Sequence, residues 1–426
     1  MNNFLKTLGP GILFASTAIG VSHLVQSTQA GANYGFTMLW AILLANLFKY
    51  PFFEFGSRYA NATGQSIIDG YRKIGRFPFF LYILITLVSM FLVTAAVGFV
   101  TSGFMQQLFG IESTLLAVIL VFAVCILILI SNNFSLLDKL IKIIGIVLLL
   151  STLFAFILVL IKGKQGNLPL NDTSVIDYKA YLLFLIPLMG WMPTAVDLSA
   201  WNSLWTVERI KESGYHPTLK ETLFDFNLGY ILSALLAICF VTLGAFIMFG
   251  TPASFSASPV GFSGEVISLY TKTFGDWAYI IIAISAFSIM FGTCVAVFDG
   301  YSRAMAAIIR IVKTPAAEKA STQQNNTIYR GVLLVTGIGS FFLIYAFLGD
   351  IDGFKSLINL ATSISFVMAP IVAIFNYILV TKKYLPESHL PPIWMRVLSI
   401  LGILFLSLFS IYFLFQENVI DYLLQA

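Results

Sequence analysis

Charge is what this chain has least of. Only 10% of its 426 residues are Asp, Glu, Lys or Arg, where a soluble domain carries about a quarter. It has three histidines and three cysteines. Cys125, Cys239 and Cys294 all lie in apolar runs, which argues for packing rather than disulfides or a zinc site. No GxxxxGK[ST] occurs, so no ATP-driven motor is encoded. The polar stretches 163–179 and 314–330 are too short to be soluble domains. A cleavable leader is not expected either, because Asn2, Asn3 and Lys6 run straight into an apolar segment.

What fills the chain instead is apolar. Hydrophobic residues make up 58%, and the mean hydropathy is +0.90. Runs near the ~20 residues that cross a bilayer core recur along the sequence. They predict eleven spans, at 8–30, 36–58, 77–108, 113–131, 138–162, 179–205, 223–250, 274–311, 329–349, 354–381 and 392–416. The eighth is too long for one crossing, and its tail "RAMAAIIRIVK" is expected to extend into water. Placing the N-terminus in the cytoplasm puts 18 of the 24 basic residues on the inner side and five outside. This is the bias expected of a cell-membrane protein, with the C-terminal "QENVIDYLLQA" outside. The forty phenylalanines are read as lipid-facing and packing residues.

Two spans are interrupted. The first holds Gly20-Val21-Ser22-His23 near its middle; the sixth, "LIPLMGWMPTAVDLSAW", holds Pro187, Gly190 and Pro193. Glycine and proline break helices, and broken backbone at membrane depth is tolerated where it lines a cavity. If the spans form two five-helix repeats, the breaks fall at corresponding positions, a pointer to a midplane substrate site in a secondary transporter. The expected organisation is a first repeat over 1–165, an inverted second repeat over 166–385, and an eleventh helix with a short tail over 386–426.

"GPGILFA…AGANYGFTMLWAILLANL" and "SRYANATG" resemble the opening of Nramp transporters, which couple divalent-metal uptake to protons. The likeness extends in outline over nearly the whole chain. It implies an all-α, LeuT-like inverted repeat with eleven helices, the first and sixth broken, and no enzymatic activity. The departures fall on the chemistry. Where the family carries Asp-Pro-Gly-Asn in span one, this chain has Gly20-Val21-Ser22-His23, so both side-chain oxygen ligands are absent. The family's Met-Pro-His in span six is here Met192-Pro193-Thr194. Nothing charged lies between Arg76 and Glu112, where the family's span three carries acids.

The expected substrate residues are Thr17, Gly20, Val21, Ser22 and His23 from span one, with Met189, Gly190, Met192 and Thr194 from span six. Without a carboxylate, a dication would leave water largely uncompensated, and no resident metal or other cofactor is expected. Two helix N-termini facing hydroxyls suit a small monovalent anion such as bicarbonate. Importing an anion against an inside-negative potential costs about 2.3 kcal/mol per 100 mV. A coupling cation is therefore expected, with sodium as the first choice and Asp197 and Asp299 as its carboxylates. Asp299 also has Arg303 at ion-pair spacing. The alternatives are manganese, iron or magnesium at a non-standard site in which Asp197 takes part, Cu(I) on His23 and Met192, or a transporter-shaped sensor. Lys49 is read as structural or gating, either reaching a carbonyl or snorkelling inward. The expected partners are the small ion and the lipid bilayer, with no nucleic acid and no obligate protein.

Overall fold

The computed structural model describes residues 7–131, 134–174, 176–252, 255–256, 258–313, 326–350 and 352–415. Asn2, Asn3, Lys6, most of the 314–330 linker and the C-terminal tail lie outside these. The described chain is helical throughout. The first span is α1 (Pro10–Ala18), a π-helical turn Val21–Ser27 and α2 (Thr28–Tyr34). Then come α3 (Leu39–Thr63), α4 (Ile67–Ile74), α5 (Arg76–Phe109), α6 (Thr114–Leu129) and α7 (Phe134–Lys162). The sixth span is α8 (Tyr178–Gly190), a 3-10 turn Val196–Leu198 and α9 (Ser199–Ser213). The rest is α10 (Leu219–Ile247), α11 (Pro259–Phe274), α12 (Tyr279–Lys313), α13 (Asn326–Phe347), α14 (Gly353–Leu379) and α15 (Ile393–Phe415).

Every expected span coincides with a helix or a broken pair of helices. Among the described residues, seven helices are long and apolar enough to cross a membrane by length and composition. Two features differ from the sequence reading. Short α4 and the loop helix α11 were not expected. Local chemistry accounts for both: Ser66 and Asp69 form a reciprocal capping box at the start of α4, and Ser258 caps α11 with Pro259 at its first turn. The tail of α12 starts packed and ends exposed: Met305 through Ile308 are buried and Val312 is 65% exposed, with Arg310 reaching back to Asp69 of α4 at 2.6 Å.

Helix one is held along its length against α10. Asp225 accepts from the backbone N–H groups of Gly9 at 3.0 Å and Gly11 at 2.7 Å, a carboxylate at a helix N-terminus where the dipole favours it. Higher up, Gly31 and Gly244 face each other so closely that a Cβ on Gly31 would lie 2.0 Å from the Val241 carbonyl oxygen. Both halves of the broken span are thus anchored to one continuous helix, leaving the opposite side of the break facing α5 and α12.

Candidate functional site

α1 stops at Ala18, and Ile19 and Gly20 interrupt the helix before the π turn begins. Gly20 is pressed against α12: a Cβ there would lie 2.6 Å from Thr293 Cγ2. Thr293 in turn donates to the Ser16 carbonyl at 2.9 Å, tying the break to the same helix. The Gly20 carbonyl is not free, since it accepts from the N–H groups of His23 at 3.2 Å and Leu24 at 2.9 Å.

In span six the helix ends at Gly190, and 191–195 run without helical structure. A Cβ on Gly190 would meet the Thr362 carbonyl oxygen of α14 at 2.2 Å, and Trp191 Nε1 donates to Ser365 Oγ at 2.9 Å. The freed carbonyls are taken up by the Lys49 ammonium of α3. It donates to Met189 O at 2.6 Å, Gly190 O at 2.8 Å and Thr194 O at 3.3 Å. Lys49 is fully buried, so three donors meet three acceptors away from water. The lysine was legible as an oddity in an apolar run; its hold on three carbonyls of the other break was not.

Between the breaks lies a cavity of about 20 Å³, room for one water. Thr17, Val21 and Ser22 line it from span one; Trp191, Thr194, Ala195 and Leu198 line it from span six. Val93 and Val97 of α5 and Thr293 and Val297 of α12 close the other sides. The structure therefore brings Thr17, Val21, Ser22 and Thr194 together, with Gly20 packed directly behind on Thr293. Met189, Gly190 and Met192 are buried but outside the lining described.

His23 is also outside the lining. It points toward α10, where Nε2 lies 2.9 Å from the Ser233 carbonyl and 3.2 Å from the Ser233 hydroxyl. The carbonyl contact fixes a proton on Nε2, and Nδ1 sits 2.7 Å from Ser22 Oγ. The imidazole touches the cavity only through Ser22, which belongs to both. His23, expected among the substrate residues, thus sits beside the cavity, with its imidazole on Ser233 of α10.

The two carboxylates separate clearly. Asp299 accepts from Arg303 Nε at 2.8 Å, Trp205 Nε1 at 2.9 Å and the Tyr329 hydroxyl at 2.8 Å. Its oxygens are occupied by three side chains, a packing knot rather than an open ligand. Asp197 is 5% exposed and has no salt-bridge partner within 4 Å among the described residues. It lies in the electrostatic reach of Lys49, and the Ser89 hydroxyl of α5 faces both it and the Tyr301 hydroxyl of α12. Neither of those hydroxyls closes a hydrogen bond of standard geometry. Among the described residues, no three His, Cys, Asp or Glu side chains are grouped so that they could hold a metal ion between them.

The family model for natural resistance-associated macrophage protein-like (Nramp) proteins matches residues 11–416. An uncharacterized Pasteurella multocida protein, PM0681, is 33% identical over 96% of this chain and 92% of its own length. A divalent metal cation transporter MntH of Staphylococcus aureus is 26% identical over 59% of this chain and 57% of its own. In structure, the Eremococcus coleocola manganese transporter superposes with a TM-score of 0.71 at 14% identity, over 96% of this chain and 86% of that one. A Na⁺-coupled sialic acid symporter follows at 0.56 and 14% identity, covering 95% and 90%. The chain belongs to the Nramp family and carries its all-helical, LeuT-like transporter fold.

Proposed function

We propose that this protein is a secondary-active transporter of a small inorganic ion, with the ion passing through the cavity between the breaks in spans one and six. The observation that carries this reading is the convergence of both interrupted segments on one hydroxyl-lined cavity, within a family of multi-pass membrane transporters rather than enzymes.

For the substrate class, the relatives favour a divalent metal ion over the anion expected from the sequence. The Staphylococcus protein and the Eremococcus structure are named for divalent metal and for manganese, and neither is named for bicarbonate. A metal here would have hydroxyl oxygens from Thr17, Ser22 and Thr194, with Asp197 as the nearest carboxylate in sequence. Such an all-oxygen, singly charged set suits a hard, partly hydrated dication such as magnesium or manganese. It leaves nothing for Cu(I), since His23 and Met192 do not meet in the lining.

A monovalent anion is the second reading, favoured by a specific observation. The lining holds no carboxylate, and a fixed ammonium already occupies the carbonyls of the span-six break. A dication would enter that environment against Lys49 and largely uncompensated. On this reading sodium is the coupling ion and Asp197, flanked by Ser89, is its carboxylate; Asp299 is fully engaged elsewhere. Purified protein in liposomes, offered radioactive manganese or labelled hydrogencarbonate, separates the two. Saturable uptake of one establishes the class, and uptake of neither defeats transport of both.

A further inference from the structure

The largest cavity described is not the one between the breaks. It holds about 340 Å³ between α2, the end of the π turn and the start of α14, on the side that loop charge marks as outside. Gln26, Gln29 and Asn33 project into it from one face of span one, and Lys355 and Asn359 from α14. Val25 and Ile358 form apolar wall, with three phenylalanines. No Asp or Glu is among its described lining residues.

We propose that this vestibule is a receiving site for a small monovalent oxyanion. The proposal rests on the anion reading above and adds a second, outer site to it. Three observations point the same way. Among the described residues, the Lys355 ammonium donates to the Phe255 carbonyl at 3.4 Å and has no carboxylate within 4 Å. It is a half-buried positive charge with no counter-ion among those residues, at the mouth of a cleft whose low-dielectric walls concentrate anions. Four carboxamides supply N–H donors to anionic oxygens and carbonyl acceptors to an O–H or a bound water. Gln26, only 1% exposed, has its Oε1 buried without a partner, a cost that a donor on the ligand or its water removes. A dication entering the same cleft would meet an ammonium and no anionic ligand. Gln26 lies fewer than two helical turns beyond Gly20, so an ion held there is next to the break.

The three native cysteines are all buried, so a thiol introduced at the exposed rim position Asn33 reads the vestibule alone. The experiment labels Asn33→Cys protein in detergent with a charged maleimide, in sodium formate, nitrate or hydrogencarbonate, with sodium gluconate and manganese gluconate as controls. The expected result is several-fold slower labelling in at least one small oxyanion and none in either gluconate. Adding Lys355→Gln should weaken the protection, and Lys355→Glu should abolish it, while both melt like the parent. Protection unchanged in Lys355→Glu, protection by manganese alone, or no protection by any of the three anions overturns the vestibule site. Failure of the anion reading is a separate result, read in liposomes as manganese uptake without anion uptake.

Discussion

Replacing Lys49 by methionine removes the ammonium but keeps most of the stem's volume, so its effect isolates the charge. In the native protein three buried carbonyls, those of Met189, Gly190 and Thr194, share that one donor group. Met189 O also accepts from the Met192 N–H at 3.3 Å, so the two carbonyls of Gly190 and Thr194 lose their donor; at roughly 1–3 kcal/mol each that sums to about 2–6 kcal/mol. Two effects reduce this. The buried charge no longer has to be desolvated, and the 191–195 stretch, already without helical bonds, can rearrange or admit water. The lower part of that range, about 2–4 kcal/mol, is therefore expected. Fluorescence-detected thermal unfolding in detergent should show a large drop in Tm. Uptake per folded molecule should fall by more than the folded fraction does, because the span-six wall of the cavity loses its anchor. A Lys49→Met protein that melts within a degree of wild type and transports normally would refute the assignment of Lys49 as the clamp of the break.

Gly20→Ala should destabilise by about 1–3 kcal/mol, because its Cβ would sit 2.6 Å from Thr293 in a packed site; the double variant with Thr293→Ser should recover part of that in the same melt. Gly20→Asp should abolish uptake if the substrate is an anion, whereas a dication substrate would tolerate the charge far better, as flux measurements would show. Asp299→Asn removes the buried carboxylate that pairs with Arg303, so a loss of about 3–5 kcal/mol is expected, with no change in the dependence of uptake on a sodium gradient. Asp197→Asn should alter that dependence with a smaller effect on Tm, as no salt bridge is lost.

Hydropathy and breaker residues made the spans and both interruptions legible, because Gly20, Gly190 and Pro193 act locally on the backbone. The placement of His23 outside the lining was not legible, for a geometric reason. The sequence cannot reveal that the helix restarts with wider π-type turns, and that change of phase swings the imidazole onto Ser233. Lys49 and Asp299 needed three-dimensional partners from other helices: carbonyls 140 or more positions away in one case, Trp205 and Tyr329 in the other. The capping box of Ser66 and Asp69 was a readable signal for α4. The pairing of Asp69 with Arg310 was not, since 241 positions separate them.

The most direct test fills the cavity between the breaks. Thr194→Phe puts a ring into a space of about 20 Å³, and uptake of manganese and of labelled hydrogencarbonate is then compared with wild type in liposomes of equal protein content. The account predicts that whichever ion the wild-type protein accumulates is no longer taken up, while the variant still elutes and unfolds as an intact protein. Undiminished uptake through the filled protein would contradict it, and the ion would have to pass somewhere other than between spans one and six.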